Sequence, residues 1–253
     1  MSKIVFLDVD GTLIDYEAKL PASAAKAVDQ ARANGHKVYI CTGCSKAEIL
    51  QRNLCDLDGM IGGNGAYVED NGHVVMHQGL SKEDVKNIVD WCNERHIGFY
   101  LEANSGMYCN DYMLEQGPET MVKYAKGKGA SLENAKSSAQ HFVDGFIHLQ
   151  GDELYRDDVN KISFILRTYQ DHLDSKVDFP HLVANTWGGK GEVALFGDLG
   201  PTGITKRHAI EVLLDYLHAD PKDTISFGDA KLTCRCLNVA LIMLRWVMVA
   251  LKL

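Results

Sequence analysis

The chain has 253 residues, 46% hydrophobic and 24% charged, which is enough apolar content for one large domain or two modest ones with real cores. A formal net charge of −8 argues against a nucleic-acid partner, because phosphate backbones are held by basic surfaces; a small anionic substrate needs only a local positive site. No basic-then-apolar leader precedes the first strand-like run, and the seven cysteines form no disulfide framework, so a reducing, cytoplasmic location is expected.

Residues 3–7 are a short apolar run ending in Asp8-Val9-Asp10-Gly11, the pattern of a strand buried on both faces. Residues 21–34 carry Ala24, Ala27, Val28 and Ala31 at helical spacing, with Gly35 closing the helix. Residues 36–41 return to strand and stop at Thr42-Gly43. A second helix over 46–54 leads to a strand at 59–62. Strand and helix alternate with turn signals at each strand's C-terminal end, which predicts an open parallel sheet. Cys41-Thr42-Gly43-Cys44 is formally a C-x-x-C pair. It ends a strand rather than opening a helix, so redox chemistry is not expected of it.

The middle of the chain changes character. Ser81-Lys82-Glu83-Asp84 opens a capped helix to about residue 96. Strand-like segments follow at 97–103 and 107–110, then a polar helical stretch, then 146–150, 162–167 and 193–196. This reads as an α+β insert with much antiparallel pairing, with linkers near Gly79 and residues 188–191. After Gly203 the first pattern resumes: an amphipathic helix over 204–218, a turn at Pro221-Lys222-Asp223, and a strand over 224–227 ending in Gly228-Asp229. The expected fold class is α/β, a doubly wound (Rossmann-like) parallel-sheet core formed by residues 1–79 and 191–253, with an α+β domain inserted at 80–190.

The strand ends of the core-type region carry Asp8, Asp10, Thr42 and Asp229, and Lys206 opens the helix before the last strand. In open α/β sheets such ends line the ligand crevice. Carboxylates facing one another there repel unless a cation separates them, and oxygen ligands suit a hard ion such as magnesium. Asp8 could attack phosphorus as a carboxylate nucleophile. Asp10 could protonate the leaving oxygen and then deprotonate water. Thr42 and Lys206 could hold the phosphoryl oxygens. His141, His148, His172 and His181 show no metal-ligand spacing. Asn104, Tyr108, Asn185 and Trp187 are weaker candidates for substrate contact.

Asp8-Val9-Asp10-Gly11-Thr12-Leu13 resembles the first motif of the haloacid dehalogenase-like phosphatases, and Thr42-Gly43, Lys206 and Gly228-Asp229 match the second to fourth motifs in order. Gly63-Asn64-Gly65-Ala66 and the long insert resemble the Cof-type sugar-phosphatase branch. The resemblance implies that Asp8 is the nucleophile and a magnesium ligand. It implies that Asp10 is the acid/base and binds the metal through its carbonyl, that Thr42, Gly43 and Lys206 bind phosphate, and that Asp229 binds magnesium. It further implies a cap that closes over the crevice and selects the substrate. The activity it implies is hydrolysis of a small phosphorylated metabolite, foremost a sugar phosphate, through an aspartyl-phosphate. A phosphosugar mutase and an impaired phosphate-ligand binding protein are the alternatives.

Two departures stand out. Cys44 occupies a position where the family usually has arginine. Thr233 stands where an acidic residue is expected four positions beyond Asp229, and a Val-Ala-Met-Gly-Asn-type segment is missing after it. Residues 237–253 are apolar but interrupted by Arg245 and too short for a typical span, so no membrane partner is expected. A one-base loss near Lys231 is the expected origin of the tail. Trp246 and Met248 each have a single codon, ending in G and followed by the GT of valine, so the shifted frame reads glycine across each of those two junctions, Trp246-Val247 and Met248-Val249. With suitable synonymous codons the shifted reading contains Val-Ala-Met-Gly-Asn-Gly and restores the missing acid. The expected consequence is weaker magnesium binding, reduced turnover and the loss of the last sheet elements. The rewritten tail must then either pack on the sheet or expose an apolar patch.

Overall fold

The computed structural model describes residues 2–15, 19–52 and 54–228, and the backbone of 242–245. β1 (Ile4–Leu7) is apolar throughout and lies inside a sheet, as such a run requires. α1 (Ala22–Ala33) starts after Pro21 and ends with Gly35 in the left-handed region, whose amide donates to the Arg32 carbonyl. β2 (Lys37–Cys41), α2 (Lys46–Gln51) and β3 (Gly59–Gly62) continue the alternation. β4 (Tyr67–Asp70) and β5 (His73–His77) form an antiparallel hairpin joined by Asn71-Gly72, both at positive φ (47° and 81°). Two such residues suit the right-handed twist of a hairpin. This hairpin adds antiparallel pairing to the sheet that residues 1–62 alone lead one to expect as wholly parallel.

The chain then builds α3 (Lys82–Glu94), β6 (Phe99–Ala103), β7 (Met107–Cys109), α4 (Asp111–Gly127), α5 (Leu132–Asp144), β8 (Phe146–His148), β9 (Val159–Ile165), α6 (Tyr169–Asp178), β10 (Leu182–Trp187) and β11 (Phe196–Pro201). It returns with α7 (Lys206–Tyr216), β12 (Thr224–Gly228) and β13 (Ile242–Arg245). Two compact units result: Met1–Ser45, Arg52–His77 and Gly203–Leu253 form one, and Lys46–Gln51 with Gln78–Thr202 the other. The split differs from the expected boundaries at residues 78–79, which join the inserted unit, and in two larger places. α2 groups with the inserted unit, and so do residues 191–202, because β11 pairs with β9 and β10.

The first unit holds a seven-stranded sheet in the order β13-β12-β1-β2-β3-β4-β5. Strands β13 to β3 are parallel, and β1 lies between β12 and β2. Strand order therefore reverses beside β1, which makes its C-terminal end the switch point where open sheets bind ligands. Phe6, Tyr39, Ile61 and Val68 of the sheet share a core with Ala209, Ile210, Leu213 and Leu214 of α7. Within the tail, residues 242–245 pair parallel with β12, Ile225 opposite Ile242 and Gly228 opposite Arg245. These residues give the sheet a strand beside β12. Among the described residues no helix is long and apolar enough to cross a membrane.

The second unit holds a six-stranded sheet in the order β10-β11-β9-β6-β7-β8. Its pairs are antiparallel except β7 with β8. Ser81 caps α3 by accepting the Asp84 amide at 3.0 Å, and α3 buries Val85, Ile88, Val89 and Trp91 against Phe99, Leu101, Ile162 and Phe164. The alternate residues carry a buried polar group. Lys161 Nζ donates to Glu102 Oε1 at 2.5 Å and Ser163 Oγ donates to the same oxygen at 2.6 Å.

Burial pushes the Glu102 carboxyl from its ordinary 4.5 up to about 8, the Lys161 charge pulling it back only in part. Burial opposes the charge on Lys161 too, but Glu102 and Asp198 outweigh it and raise that group. The folded chain thus holds this proton more tightly than the unfolded chain does, so stability falls as pH rises above the ordinary carboxyl range. Glu102→Gln is expected to flatten this dependence. Urea midpoints at pH 5 and pH 8 check it; an equal fall in both proteins would count against a neutral Glu102.

Candidate active site

Asp8 follows β1 directly and is fixed on both sides by backbone bonds. Its amide donates to the Phe227 carbonyl of β12 at 3.0 Å, and its carbonyl accepts from Leu13 at 3.2 Å. Gly11 then takes φ +76°, a left-handed turn that suits glycine, and Gly11 and Ile14 close it by mutual contact: the Gly11 amide donates to the Ile14 carbonyl at 3.0 Å. Asp8 is only 8% exposed. Lys206 Nζ, also buried, donates to Asp8 Oδ1 at 3.1 Å. A lysine at a helix start is ordinarily a surface residue; here it reaches inward to a carboxylate at the switch point.

Thr42 sits at the end of β2, buried, with its amide donating to the Ile61 carbonyl at 2.9 Å. Its hydroxyl accepts the Cys44 amide at 3.3 Å. Gly43 faces the Asn64 side chain so closely that a Cβ would lie 2.9 Å from Asn64 Oδ1. Asn64 itself is left-handed (φ 57°) and donates its amide to the Thr42 carbonyl at 3.3 Å. The turn Gly63-Asn64-Gly65 also seats α7. At Gly65, φ is +107°, and a Cβ would lie 2.4 Å from the Thr205 carbonyl oxygen and 2.9 Å from the Lys206 amide. Thr205 caps the helix by accepting the His208 amide at 3.1 Å. One glycine turn thus sets both the Thr42-Gly43 segment and the origin of Lys206.

Gly65→Ala is expected to cost about 2–4 kcal/mol, because the strained φ and the backbone clash cannot both relax. Its helix start would move away from Asp8. Gly35→Ala, at φ +82° with nothing within 4 Å of the added carbon, is the control and should cost about 1 kcal/mol. Chemical denaturation of both compares them; equal costs would mean that the contact with α7 contributes nothing.

Asp10 lies on the turn two residues beyond Asp8, with its side chain 63% exposed. Arg52 Nη1 donates to Asp10 Oδ1 at 2.6 Å. Nothing about Arg52 in the sequence marks it, since it reads as an ordinary helix-end arginine. Structure alone places it here, beside Cys44, whose Sγ accepts from Arg52 Nη2 at 3.3 Å. Among the expected residues, Asp8 and Lys206 are in contact, Thr42 and Gly43 share the Asn64 turn, and Asp10 joins Arg52. Asp229 lies outside the described residues.

The donor set fits a hard cation as far as it is described. Asp8 offers a carboxylate, and among the described residues no backbone amide donates to the Asp10 carbonyl; oxygen donors of both kinds suit magnesium. No cluster of three His, Cys, Asp or Glu occurs among the described residues. The histidines have other partners: His148 pairs with Asp111 and His181 with Asp84, each at 2.7 Å, and burial lowers the pKa of His172. The weaker substrate candidates are engaged within the second unit. Asn160 Nδ2 donates to Asn104 at 2.8 Å, Asn185 Nδ2 donates to Asp198 at 3.1 Å, and Trp187 stacks on Phe196.

Residues 5–231 match the family model described as haloacid dehalogenase-like hydrolase. YkrA of Bacillus subtilis (strain 168), whose name designates it provisionally a phosphatase, is 23% identical over 90% of this chain and 79% of its own length. A solved haloacid dehalogenase-like hydrolase from B. subtilis superposes with TM-score 0.74 at 19% identity, covering 94% of this chain and 87% of that one. The subclass IIB sugar phosphatase BT4131 superposes with TM-score 0.69 at 23% identity, covering 96% and 86%. At these identities the structural likeness speaks for the fold.

Proposed function

The chain belongs to the haloacid dehalogenase-like hydrolases, and from that premise we propose that it is a magnesium-dependent phosphatase of small phosphorylated metabolites, sugar phosphates foremost, with Asp8 as nucleophile. The observation that carries this reading is the buried Lys206–Asp8 contact at the switch point of the sheet. A residue whose main chain is held at two points presents its carboxylate from a fixed base toward phosphorus, and the ammonium beside it offsets the charge of an incoming phosphate.

Asp8 attacks phosphorus and forms an aspartyl-phosphate, while Asp10 gives its proton to the departing alkoxide. Water then enters, Asp10 takes its proton, and the oxygen attacks the same phosphorus, releasing inorganic phosphate and regenerating Asp8. Lys206, the Thr42 hydroxyl and the backbone amide of Gly43 hold the phosphoryl oxygens through both transfers. Asp8, the Asp10 carbonyl and Asp229 would hold magnesium, which supplies charge neutralisation when bound.

A panel of phosphorylated metabolites tests the reading: phosphate release is expected with magnesium and is expected to stop with a chelator. Binding of a phosphosugar without release of phosphate would instead make the chain an inert binding protein, and isomer formation from a hexose phosphate would make it a mutase.

A further inference from the structure

Asp10 is exposed and sits on a turn, yet both of its oxygens are engaged. Arg52 Nη1 donates to Oδ1 at 2.6 Å, and the Cys44 thiol lies 3.8 Å from Oδ2. The second nitrogen of the guanidinium closes the triangle, 3.3 Å from Cys44 Sγ. An exposed aspartate on a turn samples several staggered side-chain rotamers. A planar guanidinium bonded to one oxygen, and anchored through its other arm to a neighbour, selects one of them. Such an exposed pair contributes little to folding stability, so its effect falls on geometry. Arg52 is 24% exposed in its side chain and is therefore the better-anchored member.

We propose that Arg52 is a positioning residue for Asp10: it fixes the carboxyl in the orientation from which a proton passes to the leaving oxygen. The proposal rests on the phosphatase reading above and assigns a chemical role to a residue outside its motifs. Its signature is dependence on the leaving group. An alkyl phosphate needs a proton on the departing oxygen, whereas p-nitrophenolate leaves without one. A misplaced acid therefore slows the first ester far more than the second.

Arg52→Gln, Arg52→Lys and the unaltered chain are compared on glycerol phosphate and p-nitrophenyl phosphate. For Arg52→Gln, kcat/KM, which covers the steps up to departure of the alcohol and not the shared hydrolysis of the aspartyl-phosphate, is expected to fall about tenfold or more on the alkyl ester and to stay within about threefold on the aryl ester. Arg52→Lys, which keeps a cation but not the fork, should recover part of the loss. Equal losses in kcat/KM on both esters overturn the proposal and would make Arg52 a phosphate ligand. Should the unaltered chain release phosphate from neither ester and from no member of the metabolite panel, the phosphatase reading falls, and the contact is then decided separately by labelling aspartate carboxyls with carbon-13. Loss of one signal in Asp10→Asn identifies that carboxyl; if its resonance is the same in Arg52→Gln as in the unaltered chain, Arg52 does not position it.

Discussion

Asp8→Asn is expected to abolish phosphate release, with a loss of at least about ten-thousand-fold in kcat. Asparagine has the same shape and keeps an oxygen for Lys206 to donate to, and the backbone bonds to Phe227 and Leu13 do not involve the side chain. What disappears is the anionic oxygen that would bond to phosphorus. The Lys206 ammonium then lies buried beside an amide rather than a carboxylate, at a stability cost of about 1–3 kcal/mol. Circular dichroism and a thermal midpoint establish that the variant is folded, and acid quenching during turnover traps the phosphorylated chain only when Asp8 is present. A folded variant retaining more than about 1% of the activity would remove Asp8 from the nucleophile's role.

Restoring the reading frame after Lys231 is expected to tighten magnesium binding by about 10–100-fold, the range that loss of a supporting group near a metal commonly spans. The argument is one of charge: with a Leu232 codon ending in G the shifted reading replaces Thr233 by an aspartate, four positions beyond Asp229, and a divalent ion gains from each added oxygen anion near it. The family match ends at residue 231, where the proposed one-base loss lies. Three proteins separate the contributions: the present chain, the frame-restored chain and Thr233→Asp in the present chain. Calorimetric magnesium titration beside phosphate-release assays is the measurement. Equal affinities in all three would sink the charge argument, and a coding sequence whose shifted frame lacks the Val-Ala-Met-Gly-Asn-Gly segment and the acidic residue would sink the frameshift itself.

The parts of the fold set by local pattern were legible in the sequence. β1, β2, β3 and β12 follow from apolar runs stopped by polar turns, and α3 follows from Ser81 and the acidic residues after it. Asp8, Thr42 and Lys206 could be placed at element ends because those ends are where such runs stop. Other parts depend on long-range pairing that periodicity does not encode. β11 is a short run whose membership in the second sheet is decided by β9 and β10, and so the boundary falls at residue 203 rather than 191. The β4–β5 hairpin had a local signal, Asn71-Gly72 between β-rich runs, of the strongest short-range kind. Arg52 had none, because its contact with Asp10 spans 42 positions and arises only when the two elements are folded. Asn64 is intermediate: the flanking glycines advertise a tight turn, but its closeness to Gly43 follows from the neighbouring strands.

The parallel pairing of β13 with β12 has a practical consequence. A strand edge is read through its backbone amides and carbonyls, and almost any apolar spelling can supply them. Solubility screens, circular dichroism and expression yield therefore respond to whether an edge strand is present, and are nearly blind to which residues compose it. A library of C-terminal variants sorted by those assays would keep chains whose chemistry differs widely. Sorting by magnesium-dependent turnover is the selection that distinguishes them.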